Sequence, residues 1–268
     1  MRRWAGSRRR RGASWPLSGP PRWVRLAASR ASHPGRLPHS WPTSAAVPPE
    51  IAVLARVEGA VVDACTFQAA TGASDAAMAD LQRYRELLVS GSERMNLVGP
   101  SALAEFWPRH AWDSAQLLPL MDGAVTMADV GAGSGFPGVV LAILLKGRPG
   151  ARVHLIESLA KRCGFLREVA DALELPAEVQ NARAEALDPP PLVAIVTARA
   201  CAPLPRLFGY ALPLMRSGAR GLFLKGRSAE AELAEARRDW RVEATLIPSR
   251  SDPSGRIVRV ERLSRARR

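Results

Sequence analysis

The stretch from Thr126 to Gly138, TMADVGAGSGFPG, constrains what this chain can fold into more than any other. Met127 to Val130 is a short apolar run and predicts a buried strand. Gly131, Gly133 and Gly135 follow at alternating positions, Pro137 stands where a first helical residue would stand, and Val139 to Leu145 continues as an apolar helix. Strand, glycine turn and helix make the layout of a nucleotide-cofactor site. Glycine lets the backbone turn sharply and lets a ligand lie against the main chain, and a helix start offers unpaired N–H groups to a polar ligand. Asp129, at the end of the strand, places a carboxylate beside the expected crevice.

The spacing bears on which cofactor fits. Counted from Gly131, the last glycine of a strict G-x-G-x-x-G is missing, because Phe136 occupies it. Counted from Gly133 the pattern fits through Gly135 and Gly138, but it starts two residues late. A second strand is expected over Arg152 to Ile156, ending in Glu157, 22 residues after Gly135. An acid at such a point binds two ribose hydroxyls. A glycine triplet without pyrophosphate spacing, preceded by an acid, favours S-adenosylmethionine over NAD. The plain alternative is a glycine-rich turn with no ligand; glycines, strand, helix start and Glu157 together weigh against it.

The 268 residues suffice for one good-sized domain with a substantial core, and no apolar run has the length of a membrane helix. The net charge of +13 is unevenly spread. Residues 1–50 hold ten arginines, no lysine and a single acid, Glu50, so that segment carries +9 and the remainder +4. It also holds four of the seven tryptophans, many prolines and no apolar periodicity, which predicts a disordered extension. It could be a targeting peptide, a basic arm for RNA, or sequence translated from a start codon set too early. Only Lys146, Lys161 and Lys225 stand against 35 arginines, a bias that suggests a GC-rich coding sequence and favours the last of these. Cys65, Cys163 and Cys201 are isolated thiols with no C-x-x-C, and two of the four histidines lie in the extension. A reducing compartment and no metal site are expected, hence a cytoplasmic protein, taken as a monomer.

Along the chain, Leu54, Val57, Val61 and Cys65 have helical spacing over 51–65, and Ser74 can cap a second helix bearing Leu81, Tyr84 and Leu88. Pro108 is expected to begin a further helix with Trp112, Leu117 and Leu118 on its apolar face. From 126 onward strand and helix alternate. Further strands are expected near Ala177 to Asn181, Leu192 to Ala198 ending at Arg199, and Arg220 to Leu224 ending at Lys225. A charged helix over Ser228 to Arg238 follows, then an antiparallel pair, Trp240 to Ile247 with Arg256 to Leu263. The expected architecture is α/β: a doubly wound, mostly parallel seven-stranded sheet of Rossmann-like type with a small N-terminal helical cap. The expected divisions are 1–50 (extension), 51–120 (cap) and 121–268 (cofactor-binding domain). Ligands lie at the carboxyl ends of such strands, here Gly131, Glu157, Arg183 to Glu185, Arg199 and Lys225.

These residues resemble a known family. Asn96-Leu97, then Arg109-His110-x-x-Asp113-Ser114, then Asp129 to Gly138 are similar to the RsmG (GidB) family, the bacterial small-subunit ribosomal RNA guanine-N7 methyltransferases. Glu157 to Arg162 with Phe165 to Arg167, Arg183 to Glu185, Thr197 to Ala200 and Leu224 to Gly226 follow in family order. The resemblance covers roughly residues 75–263 and leaves out residues 1–50. It implies an S-adenosylmethionine-dependent methyltransferase fold, with the cofactor held around Asp129, Gly131, Gly133, Gly135, Phe136, Glu157, Ala184, Glu185 and Arg199. It also implies a single guanosine in the decoding region of 16S ribosomal RNA as the substrate, presented by the small subunit or its assembly intermediate.

The chemistry agrees with so few catalytic groups. Guanine N7 has an in-plane lone pair and no proton to lose, so its methylation needs no general base; holding N7 in line with the methyl group suffices. Methylation at carbon-5 of a pyrimidine would want a cysteine nucleophile, and Cys201 is the thiol nearest the expected site, with a structural role as the alternative. Arg199 is the candidate for positioning the base, against a plain ion pair with Asp113 or Glu185. Arg109, His110, Lys161, Arg162, Lys225 and Arg227 are candidate RNA contacts, against a merely solvated face. A same-fold enzyme acting on another RNA or a small molecule, and a ribosome-assembly module without catalysis, remain the alternatives.

Overall fold

The computed structural model describes residues 63–95, 97–99 and 103–266. The expected helix over 51–65 thus lies mostly outside the described residues, as do the extension and Asn96. What is described begins with α1, Ala64–Thr71, whose cap is reciprocal: Asp63 accepts from the Thr66 N–H, and the Thr66 hydroxyl accepts from the Asp63 N–H. Cys65 is exposed, and Phe67, Ala70 and Thr71 are the residues this helix buries. Next comes α2, Asp75–Met95, where the Ser74 hydroxyl accepts from the Ala77 N–H and Leu81, Tyr84 and Leu88 are buried, as the spacing predicts.

Pro108 does not begin a helix. A π-helical turn spans Phe106–Ala111 and runs directly into α3, Trp112–Ala115. Pro108 lies in the first turn, where a backbone N–H has no intrahelical partner, so its missing donor costs little. A 3-10 turn over Leu118–Met121 leads to the sheet.

Seven strands follow: β1 Thr126–Val130, β2 Arg152–Glu157, β3 Ala177–Asn181, β4 Ile195–Arg199, β5 Arg220–Lys225, β6 Trp240–Pro248 and β7 Arg256–Arg265. Their order in the sheet is β3-β2-β1-β4-β5-β7-β6. The first five are parallel, and β7 is antiparallel to both β5 and β6. The helices between them are α4 Gly138–Leu145, α5 Ala160–Ala172, α6 Leu204–Met215 and α7 Ala229–Ala236. Two expectations are corrected. The fourth strand starts at Ile195, because the sheet ladder is joined only at Ala194, and Leu192 is 78% exposed. The helix expected over Ser228 to Arg238 is confined to Ala229–Ala236, with Ser228 preceding it.

Side chains alternate between two apolar cores because successive strand residues point to opposite faces. Met127, Leu155, Ile195, Leu222 and Ile257 join one core with α2, α3, α4 and α5; Ala128, Ile156, Val196, Phe223 and Val258 join the other with α6 and α7. The helical segment before the sheet therefore shares its core with the sheet: Leu81, Tyr84, Leu88, Phe106 and Trp112 pack in one cluster with Val139 and Leu141.

Candidate active site

The turn after β1 is built from left-handed glycines, with φ of +71° at Gly131, +59° at Gly133 and +107° at Gly135. Its tightness is steric as well as conformational. A Cβ on Gly131 would stand 2.7 Å from the Cys201 Sγ, and one on Gly135 would stand 2.6 Å from the Tyr84 Oη. The Tyr84 hydroxyl, fully buried, donates to the Ser134 carbonyl at 2.7 Å, so α2 holds the turn from behind. Phe136 is buried too, packed against Tyr84 and Phe106 and stacked under His110, with ring centroids 4.7 Å apart.

Two cavities open at the carboxyl ends of the strands. The first, about 310 Å³, is lined by Gly131, Glu157, Ser158, Leu159, Arg162, Arg183, Ala184, Glu185, Ala200, Cys201 and Tyr210, among others. Glu157 is its fixed acid. Oε2 accepts from the Gly133 N–H at 3.0 Å and keeps a second lone pair, while Oε1 accepts from the Leu159 N–H at 2.8 Å and, more distantly, from the Ser158 hydroxyl at 3.4 Å. Arg162 stands 3.9 Å away. Burial pushes the Cys201 thiol up to about 11, with the negative charges of Asp129 and Glu157 adding to it, so it stays protonated at neutral pH. A thiol held protonated is a weak nucleophile, since the thiolate is the reactive form.

The second cavity, about 370 Å³, lies on the β4–β5 side and is lined by Arg109, His110, Asp113, Arg199, Lys225, Glu232 and the loop Ser249–Arg256. Ala200 borders both cavities. The Arg199 guanidinium lies 4.8 Å over the Phe136 ring and donates to the Arg109 carbonyl at 3.1 Å and the Asp113 carboxylate at 3.3 Å. Asp113 is itself held by the Ser251 hydroxyl at 2.6 Å and the Gln116 amide at 2.9 Å. Helix α3 and the β6–β7 loop thereby fix the pose of Arg199.

Several expected site residues land elsewhere than the sequence suggests. Asp129 is fully buried and does not border the crevice; it accepts from the Thr197 hydroxyl and the Gly138 N–H, both at 2.9 Å, and so clasps β1 to β4 and to the start of α4. Burial raises its pKa to about 7 against the pull of those donors. Arg199 borders the second cavity rather than the crevice that holds Glu157. Lys225 is not a free cation: it pairs with Glu232 at 2.7 Å and donates to the Ala202 carbonyl. Lys161 and Arg227 are exposed and border neither cavity. Nothing in the sequence singles out Tyr210 or the loop Ser249–Arg256 as cavity walls; the signal for the loop is a Ser/Pro/Gly cluster too long for a tight hairpin turn.

Among the described residues no group of acids, histidines and cysteines could hold a metal ion, and no helix is long and apolar enough to cross a membrane.

A profile of the GidB family, described as rRNA small subunit methyltransferase G, matches residues 77–253. The chain belongs to that family. Its class of activity is methyl transfer to small-subunit ribosomal RNA. Similar proteins named ribosomal RNA small subunit methyltransferase G include one from Caulobacter vibrioides strain NA1000, 58% identical over 80% of this chain and 98% of its own length. Another, from Caulobacter strain K31, is 59% identical over 77% of this chain and 93% of its own. A third, from Paramagnetospirillum magneticum, is 46% identical over 74% and 94%. The family match takes in both cavities apart from Gly255 and Arg256.

Proposed function

We propose that the protein transfers a methyl group from S-adenosylmethionine to N7 of one guanosine in the decoding region of 16S ribosomal RNA. The observation that carries the reading is the pair of cavities that meet at Ala200, one bearing a fixed acid and the other a fixed guanidinium. The first suits the cofactor: Glu157 Oε2 keeps a lone pair for a ribose hydroxyl, the Ser158 hydroxyl on Oε1 can give way to a second, and Gly131, Ala182 and Ala184 border the space with small residues. Tyr210, Arg183 and Glu185 border the same space. When bound, the cofactor supplies an electrophilic methyl group on a sulfonium.

The chain's own task is then placement. N7 offers its lone pair unaided, so no residue has to remove a proton. Arg199, braced by Asp113 and the Arg109 carbonyl, orients the base, and orientation of this kind lowers a barrier by several kcal/mol. The protonated Cys201 speaks against a pyrimidine carbon-5 substrate. Arg109, His110, Lys161, Arg162 and Arg227 are the residues we assign to the RNA, with Lys225 serving Glu232 instead. The protein acts on the small subunit or its assembly intermediate, in the cytoplasm, as a monomer.

The product gives the test. N7 methylation places a fixed positive charge on the imidazole ring, so reduction followed by mild amine treatment cuts the RNA at the modified nucleotide. RNA from cells lacking the protein is expected to lose one such cut, and protein with S-adenosylmethionine to restore it; Arg199→Ala is expected to restore little or none. A cut that persists without the protein, or a restored methyl on another atom, refutes the assignment.

A further inference from the structure

The cavity beside Arg199 presents three carboxylates, and two are committed. Asp113 holds Arg199, Gln116 and Ser251. Glu232 holds Lys225, the Ser228 hydroxyl and the Leu204 N–H. Asp252 differs. It accepts from the Ser254 N–H and the Ser254 hydroxyl, each at 2.8 Å, and both bonds fall on Oδ1. Its Oδ2 therefore keeps acceptor capacity for a ligand. The Ser254 donors hold this carboxyl below the usual range, so it is charged at neutral pH.

The loop that carries Asp252 is closed on itself. The Gly255 N–H donates to the Asp252 carbonyl at 2.9 Å, and the Ser249 N–H to the Gly255 carbonyl at 3.1 Å. A Cβ on Gly255 would stand 3.0 Å from the Ser249 Cβ and 3.3 Å from the Asp252 Cβ, so a larger residue would crowd the closure. The Ser251 and Ser249 bonds to Asp113 and Gln116 then dock the loop on α3. A charged acceptor is held in a set place on the wall of the cavity that contains Arg199.

We propose that Asp252 selects guanine by accepting hydrogen bonds from its N1–H and 2-amino group. The inference rests on the guanosine reading above. Of the four RNA bases, guanine alone carries two donors side by side on its Watson–Crick edge. Adenine and cytosine set a single amino group beside an acceptor nitrogen, and the uracil N3–H is flanked by two carbonyl oxygens that repel a carboxylate. Asp252 is half-exposed, so what rejects the other bases is the mismatch itself: a carboxylate fixed opposite two donors meets an acceptor nitrogen or a carbonyl oxygen instead. Holding guanine by this edge leaves N7, on the other ring, unpaired and available to the methyl group.

The test uses small subunits assembled on RNA joined from two fragments, with guanosine or inosine at the nucleotide the wild-type protein methylates. Inosine keeps N7, O6 and N1–H and lacks only the 2-amino group. Transfer of a radiolabelled methyl group is measured for the wild type and for Asp252→Asn. The asparagine oxygen keeps the Ser254 bonds and turns an amide NH2 toward the base, so the loop is expected to stay closed; an unchanged melting temperature and cofactor affinity check this. The wild type is expected to lose roughly 10- to 100-fold in kcat/KM on inosine. Asp252→Asn is expected to lose at least as much on guanosine and to discriminate less between guanosine and inosine, because the amide loses the N1–H bond with both bases and the 2-amino bond with guanosine alone. Equal wild-type rates on the two RNAs, or undiminished discrimination by Asp252→Asn, would overturn the proposal. A wild type that binds cofactor yet methylates neither RNA would instead refute the guanosine reading, and this inference with it.

Discussion

Replacing Asp129 with Asn tests whether the clasp beneath the glycine turn is neutral. Asp129 is fully buried, and burial raises its pKa from 3.8 to about 7, although the Thr197 hydroxyl, the Gly138 N–H and the Arg199 charge all oppose the shift. In the unfolded chain the same carboxyl titrates near its ordinary value. Between about pH 4 and pH 7 the unfolded state therefore gives up a proton that the folded state keeps, and stability falls as pH rises across that window. The gap of about three pH units corresponds to about 4 kcal/mol once both states are ionised. An asparagine has the same shape and no charge. Its oxygen can accept from the Gly138 N–H while its amide donates to the Thr197 hydroxyl, the pattern that a protonated Asp129 also makes. Urea unfolding of both proteins near pH 5 and pH 8 measures the difference. Asp129→Asn is expected to exceed the wild type by about 1.5 kcal/mol at the lower pH, where only the unfolded carboxyl has ionised, and by up to about 4 kcal/mol at the higher. A variant destabilised equally at both would mean that the carboxylate is held as an anion, and that the donors outweigh burial.

Glu157→Ala is expected to weaken S-adenosylmethionine binding by roughly 1–3 kcal/mol, through the loss of a charged acceptor; unchanged affinity by calorimetry in a folded protein would remove Glu157 from the cofactor site. Gly131→Val is expected to weaken it too, because a side chain there meets the Cys201 Sγ and strains a left-handed backbone. Replacing Lys161 and Arg227, which border neither cavity, together with Ala is expected to flatten the salt dependence of RNA binding by roughly 0.7–0.9 in slope for each phosphate no longer neutralised, with cofactor affinity unchanged. An unaltered slope would make those exposed cations an ordinary solvated surface.

Most of the parallel part of the sheet was legible because β1, β2, β4 and β5 are buried on both faces and read as short apolar runs ended by a glycine or a charge. The edge strand β3 is half-exposed, and its bounds still match the expected Ala177 to Asn181. The same rule ran too far at β4. Leu192 and Val193 extend the apolar run, but they precede the point where the ladder is joined. Asp129 was placed at the right strand end and given the wrong surroundings. It shares its face with Met127, and that face packs against α4, so strand alternation leads to Gly138 rather than to the crevice. The far wall of the second cavity was illegible for a different reason. Its loop has no periodicity, and its partners lie more than a hundred residues away: Ser251 meets Asp113, and Ser249 meets Gln116.

The strand-end rule named residues that border cavities and grouped them as one site, whereas the fold divides them at the switch in strand order. The strands β1, β2 and β3 run to one side, and Gly131, Glu157 and the turn at Ala184 border one cavity. On the other side β4 and β5 end in Arg199 and Lys225, which border the second. Ala200 joins the two halves with a left-handed backbone, φ +49°, a conformation rarely adopted by a residue with a Cβ. Arg199 shares the face of Thr197 and so reaches Asp113 and the Phe136 ring, while the turn at Ala200 brings Cys201 round against Gly131 in the neighbouring cavity. A single residue thus sets how the guanidinium of the second cavity stands relative to the first. The methyl transfer proposed above, which uses no general base, depends on that relation, and the bonds at Asp129, Asp113 and Gln116 brace it.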